Sequence, residues 1–154
     1  MANISSLAQG KNAVTGNLRH VQNQYRILDC SKLDEGLFEK SGLTKLAAND
    51  VHAVIRIPAN SKIISCGIRI LKAEGAARTI TILQRKAADF GAVATLKENL
   101  DANSVGETDI VAANMGYSVD ESIITITPNA DMTNAVILID VQYIVFDQSI
   151  ANRT

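Results

Sequence analysis

Beyond residue 50 the chain alternates apolar and polar residues with a period of two, the pattern of half-buried antiparallel strands. Over 51–57, Val51, Ala53, Ile55 and Ile57 point one way and His52, Val54 and Arg56 the other, before the turn residues Pro58, Ala59, Asn60 and Ser61. Over 63–71, Ile64, Cys66, Ile68 and Ile70 alternate with Ser65, Gly67 and Arg69; Ala73-Glu74-Gly75 breaks the run, and 78–83 alternates again. Strands are also predicted over 122–127, ahead of the turn Pro128-Asn129-Ala130-Asp131, and over 135–146, with weaker ones at 93–97 and 108–111. Thr, Ile and Val, which fill these runs, suit a pleated surface.

The strand over 135–146 is the most informative. Ala135, Ile137, Ile139, Val141, Tyr143 and Val145 form one face, while Val136, Leu138, Asp140, Gln142, Ile144 and Phe146 form another that is apolar at both ends and polar at its centre. That second face predicts contact with another subunit through its ends, with Asp140 and Gln142 as candidate contact residues. Helical signal is thin. Leu33 and Leu37 stand at i and i+4 within 31–48, but Gly36 and Gly42 interrupt them, and 98–103 has room for one turn.

Such a succession of short strands predicts an all-β fold: a two-sheet antiparallel β-sandwich of jelly-roll type, with an immunoglobulin-like sandwich as the competing topology. No Trp lies between Cys30 and Cys66 to favour the latter. Residues 1–24 break the pattern. They hold no Asp or Glu, carry Lys11 and Arg19 as their formal charges, and space Ile4, Leu7, Val14, Leu18 and Val21 without a period. They read as an extended N-terminal arm that needs an outside surface for order, leaving 25–154 as the single sandwich domain. Ile4, Leu7, Lys11, Val14, Leu18 and Arg19 are the arm's candidate contact residues.

Composition excludes more than it proposes. The 154 residues suit one domain, and fifteen basic against sixteen acidic residues leave a net charge of -1. Nothing there draws the chain to nucleic acid or an acidic membrane. Aromatics are 4% and Trp is absent, so a stacking platform for sugars or bases is not expected. No apolar run has signal-peptide or membrane-span length, and Cys30 and Cys66 read as buried free thiols of a protein made in a cytosol.

Catalytic patterns fail one by one. Gly116-Tyr117-Ser118-Val119-Asp120 lacks the second Gly of a nucleophile elbow, and the glycines are scattered singly rather than gathered into a phosphate loop. His20 falls in the arm, and His52 is expected to point outward from its strand. The acids Asp34-Glu35 and Asp120-Glu121 read as solvated turns. Asp101 to Gly106 begins like a calcium loop, but Val105 and Ala112 occupy ligand positions. Gln84-Arg85-Lys86, with Arg69, Lys72 and Arg78, reads as a solvated face. No enzyme activity, cofactor or metal is expected.

Two segments carry a resemblance: VHAVIRIPANSKIISCGIRILKAEGAARTITI (51–82) and ESIITITPNADMTNAVILIDVQYIVFD (121–147). A strand ending in IPA plus a turn, an apolar strand running into AEG, and a TPNAD turn before a long last strand resemble a plan of small tailed-phage virion proteins. The chain is similar to the capsid decoration, or cement, proteins of short-tailed cyanophages over roughly 100 residues, with the first 50 largely unmatched. Residues 84–91 depart from the family's Gly/Asp-rich turn, being rich in Ala and basic residues. The resemblance implies a homotrimeric jelly roll, made in the bacterial host's cytoplasm, that binds the major capsid protein on the outer capsid surface of the virion. A carbohydrate- or receptor-binding jelly roll of a head fibre is the alternative.

Overall fold

The computed structural model describes residues 21–33, 44–110 and 117–146. Among these described residues nine strands follow in order: β1 (Val21–Asp29), β2 (His52–Ile57), β3 (Ser61–Lys72), β4 (Thr79–Lys86), β5 (Ala92–Asp101), β6 (Gly106–Ile110), β7 (Tyr117–Ser118), β8 (Ser122–Pro128) and β9 (Val136–Val145). A five-stranded sheet runs β1-β9-β3-β6, with β7 pairing the same edge of β3 as β6, and a four-stranded sheet runs β2-β8-β4-β5. Every pairing is antiparallel.

The pairing follows one rule. The first strand pairs with the last, the second with the last but one, β3 with β6 and β7, and β4 with β5. The chain is therefore one long antiparallel ribbon rolled into two sheets, which is the jelly roll expected. The inner faces meet in a core rich in isoleucine, including Ile68, Ile70, Ile80, Ile82, Ile124, Ile126, Ile137 and Ile139. Gln24 and Arg26 on β1 close one open side, donating to the β2 carbonyls of Arg56 at 2.9 Å and Val54 at 3.3 Å.

Several expectations are corrected. β1 starts at Val21, inside the segment assigned to the arm, and was not predicted as a strand: VQNQYRILD is mostly polar because it buries only Leu28 fully. Residues 98–101 extend β5 rather than forming a helical turn, since their backbone pairs with β4. Within 31–48, residues 34–43 lie outside the described residues, and no α-helix occurs among the described residues. Two faces also change parity at register shifts. In β2 a shift between Ala53 and Ile55 turns His52 and Val54 inward together with Ile55 and Ile57. In β3 a shift between Ile63 and Ser65 buries Ile63 and leaves Ile64 half-buried. One extra residue per shift moves every later side chain to the other face.

Candidate interaction surface

Reactive groups in the sandwich are spent on structure. Cys30 and Cys66 are buried free thiols, each pushed up to about 12, first by burial and then by Glu74 and Asp29 at Cys30 and by Asp140 at Cys66. Neither is a thiolate at neutral pH. His52 is buried, contrary to the outward placement expected, and its Nε2 has no partner among the described residues. Burial lowers its pKa against smaller raising effects of Asp50 and the Ala47 backbone. The Asp101 carboxylate is engaged by its own turn, accepting from Asn103 N at 2.8 Å and Ser104 Oγ at 2.9 Å. Among the described residues no three His, Cys, Asp or Glu side chains converge.

What distinguishes the molecule is the contrast between its two outer faces. On the four-stranded sheet, register places Ile123 between Arg56 and Arg85. Ile123 is 2% exposed and Thr125 is fully buried, though both point away from the core. The arginines are held in place: Arg56 Nη1 pairs with Glu121 at 2.9 Å, while Arg85 donates to Phe90 O at 2.9 Å and Thr125 Oγ1 at 3.3 Å. Long arginine stems cover apolar surface while their heads stay solvated, so this face is already closed.

The five-stranded sheet keeps its outer face open, and register orders it in rows. At one end Val21, Ile144, Lys62 and Tyr117 stand side by side. Next come Asn23, Gln142 and Ser65, then Tyr25, Asp140 and Gly67, then Ile27, Leu138 and Arg69. Tyr25 is 68%, Ile27 47% and Val21 44% exposed. Tyr117 and Phe146 add an exposed edge-to-face pair with centroids 5.8 Å apart, and the Tyr117 hydroxyl donates to Asn60 Oδ1 at 3.2 Å. The polar centre is ordered internally. Ser65 Oγ donates to Gln142 Oε1 at 3.0 Å, and Gly67 N donates to Asp140 Oδ1 at 3.0 Å. Arg69 pairs with Glu107.

Asp140 and Gln142 thus sit where the alternation over 135–146 put them, at the polar middle of an outer face. Ile4, Leu7, Lys11, Val14, Leu18 and Arg19 lie outside the described residues. Sequence reasoning missed Tyr25 and Ile27, the most exposed of the large apolar side chains on the face. The signal was their alternation with the inward Gln24, Arg26 and Leu28, masked by the polarity of the strand. Large exposed apolar residues gathered on one sheet face are a surface suited to a partner.

No protein-family model matches the chain, and no curated protein is significantly similar to it. Solved structures are similar in fold. A chain of the acidic stable capsid structure of Helicobacter pylori bacteriophage KHP30 superposes with a TM-score of 0.52 and 13% identity, over 82% of this chain and 89% of that one. A chain of the cyanophage Pam1 capsid asymmetric unit gives 0.51 and 12%, over 82% and 86%. At such identities the likeness is one of architecture: the same two-sheet sandwich spans most of each chain.

Proposed function

We propose that this protein is a structural component of a bacteriophage virion, which binds the outer capsid surface as a homotrimer and stabilises the shell by clamping neighbouring major capsid subunits. The observation that carries the reading is the open outer face of the five-stranded sheet, with Val21, Tyr25, Ile27, Tyr117 and Phe146 exposed around a polar centre. It is a surface for contact rather than for turnover. The architectural likeness to chains of two phage capsid structures supports the same reading.

A clamp of this kind acts by mass action. A ligand that binds only the assembled shell stabilises it by RT ln(1 + [L]/Kd) per site. A trimer engaging three subunits together gains roughly 10²–10⁴ in avidity without any new type of contact. The chain needs no cofactor or metal for this role, and no nucleic acid or membrane enters it. Synthesis falls in the host cytoplasm and residence on the virion.

The test is the copy number and position of the chain in purified virions, by quantitative mass spectrometry and labelled-antibody microscopy. Hundreds of copies spread over the shell are expected. A few copies at a fibre would replace this reading with the receptor-binding alternative, and absence from virions would overturn both.

A further inference from the structure

We infer that residues 44–50 form a strap that opens in mild acid, with the buried His52 ring as its latch. The strap lies antiparallel to the β8–β9 loop and is bonded to it through the backbone. Leu46 and Met132 each donate to the other's carbonyl at 2.9 Å, and Asn49 N donates to the Pro128 carbonyl at 2.8 Å. Asp131, in the same loop, adds a side-chain clasp: its Oδ1 accepts Ala48 N and its Oδ2 accepts Lys45 Nζ, each at 2.8 Å. Leu46 and Met132 are both fully buried under this arrangement.

His52 is turned into the core against the alternation of its own strand. The register shift between Ala53 and Ile55 sets it on the inward side of β2, opposite Ile126, where it is 8% exposed. The ring bonds the Ala47 backbone, in the middle of the strap, while its Nε2 is buried and has no partner among the described residues. A neutral ring tolerates that bare nitrogen. Protonation turns it into a charged donor with no acceptor, which an apolar interior does not accommodate. Swinging the ring to water breaks its bond to Ala47, so the protonated state is the one with the strap unlatched.

The charged groups on the adjoining elements do not rescue an imidazolium in place. Asp50 favours the protonated ring, but burial opposes it more strongly. From β1, Arg26 donates to the Val54 carbonyl at 3.3 Å; β8 sets the uncharged Ile126 opposite; Lys45 and Asp131 are paired with each other. The open strap returns the ring to its ordinary value of about 6.5 and the closed strap holds it lower, so falling pH favours the open form. Asp131 does not titrate in the same range, because Lys45 and the Ala48 N–H hold its carboxyl below its ordinary value. The clasp therefore stays closed while the latch releases, and the opening bares Leu46 and Met132.

Amide hydrogen exchange of the full chain at pH 7 and pH 5, corrected for intrinsic rates, tests the latch. Protection of the Leu46 and Asn49 N–H groups is expected to fall by about tenfold between the two, as uptake of one proton on opening requires. At both pH values it is expected to stay well below that of Ile139 and Val141 in β9, the mark of an opening smaller than unfolding. His52→Gln, which keeps His20, is expected to abolish the fall with pH. Asp131→Asn is expected to lower protection at both pH values and to keep the fall. Protection that is flat with pH, or that matches β9 throughout, overturns the inference, as does a fall that survives His52→Gln. Where Gln itself disturbs the strap at pH 7, the His52 imidazole resonance of the unaltered chain decides: a ring that titrates with no change in exchange at Leu46 overturns the latch.

Discussion

Asp140 lies across the backbone of Gly67: its Oδ1 accepts the Gly67 N–H at 3.0 Å, and a Cβ at position 67 would stand 2.8 Å from that oxygen. The strand pair β3–β9 thus trades a side chain for a carboxylate bonded over the missing one. Gly67 is here because of a close approach, not a special turn.

Gly67→Ala is expected to displace the carboxylate and cost about 0.5–1.5 kcal/mol, the net worth of the hydrogen bond it breaks. Asp140→Ala should cost a similar amount. The double variant should lose less than the sum, because one bond is removed twice. Urea unfolding of the four proteins measures the coupling, and strict additivity would show that the two residues do not act together.

Glu74 contributes to the acid limb of stability, beside Asp29 and Asp131, whose carboxyls are also lowered by their hydrogen-bond partners. Its buried carboxylate accepts from the N–H groups of Thr133, Asn134 and Ala135 at 3.0–3.1 Å, tying the β3–β4 loop to the β8–β9 loop. Burial alone would raise its pKa; the N–H groups of Asn134, Thr133 and Ala135, with Arg78, outweigh burial and lower it. The Cys30 thiol, held protonated, also lies near it. A carboxyl lowered in the folded state contributes stability in full above its unfolded value of about 4.3, and loses it as pH falls through the folded value. Glu74→Gln should cost about 1–3 kcal/mol at pH 7 and flatten the decline of urea midpoints below pH 5.

His52 adds a shallower step at higher pH. Its pKa is lowered by burial, so the unfolded chain takes up a proton first, from about pH 6.5 downward. Stability should fall gently through that range and level off below the folded value of His52. Midpoints that stay flat between pH 7 and 5.5 would contradict its burial as a neutral ring.

Phe90 adopts a left-handed backbone, φ 61°, at an exposed position in the β4–β5 loop. That conformation costs a bulky L-residue roughly 1–2 kcal/mol and is far easier for Asn. Phe90→Asn should therefore raise the melting temperature by about 1–4 °C. A lowered melting temperature would mean that the ring contributes contacts of its own.

The two thiols should report global unfolding. Both are buried and held protonated, so a thiol reagent at pH 8 should label Cys30 and Cys66 only at the rate at which the sandwich opens. Reducing agents should leave the melting temperature unchanged. Rapid labelling of either residue in native conditions would place it in a locally opening segment.

Period-two alternation by itself determined the class of the fold and much of its framework. The strands over 78–83, 122–127 and 135–146 were legible because a half-buried strand must alternate, and the two faces over 135–146, with Asp140 and Gln142 at the polar centre of one, followed from parity alone. Tertiary structure decided the rest. The shifts beside Val54 and Ile64 are backbone adjustments between partner strands, and each reverses which residues are buried; no local pattern announces them. β8 reads as an alternating strand yet hides Ile123, because Arg56 and Arg85 flank it in register, and Thr125, which stands between Ala53 and Leu83 and accepts from Arg85 Nε. β1 was invisible because a strand at the sheet margin buries little, and its identity depends on β9, more than a hundred residues further on. Side-chain period is a property of one strand, whereas the cover over each face and the partner at each edge come from distant segments that meet only when the ribbon has rolled up.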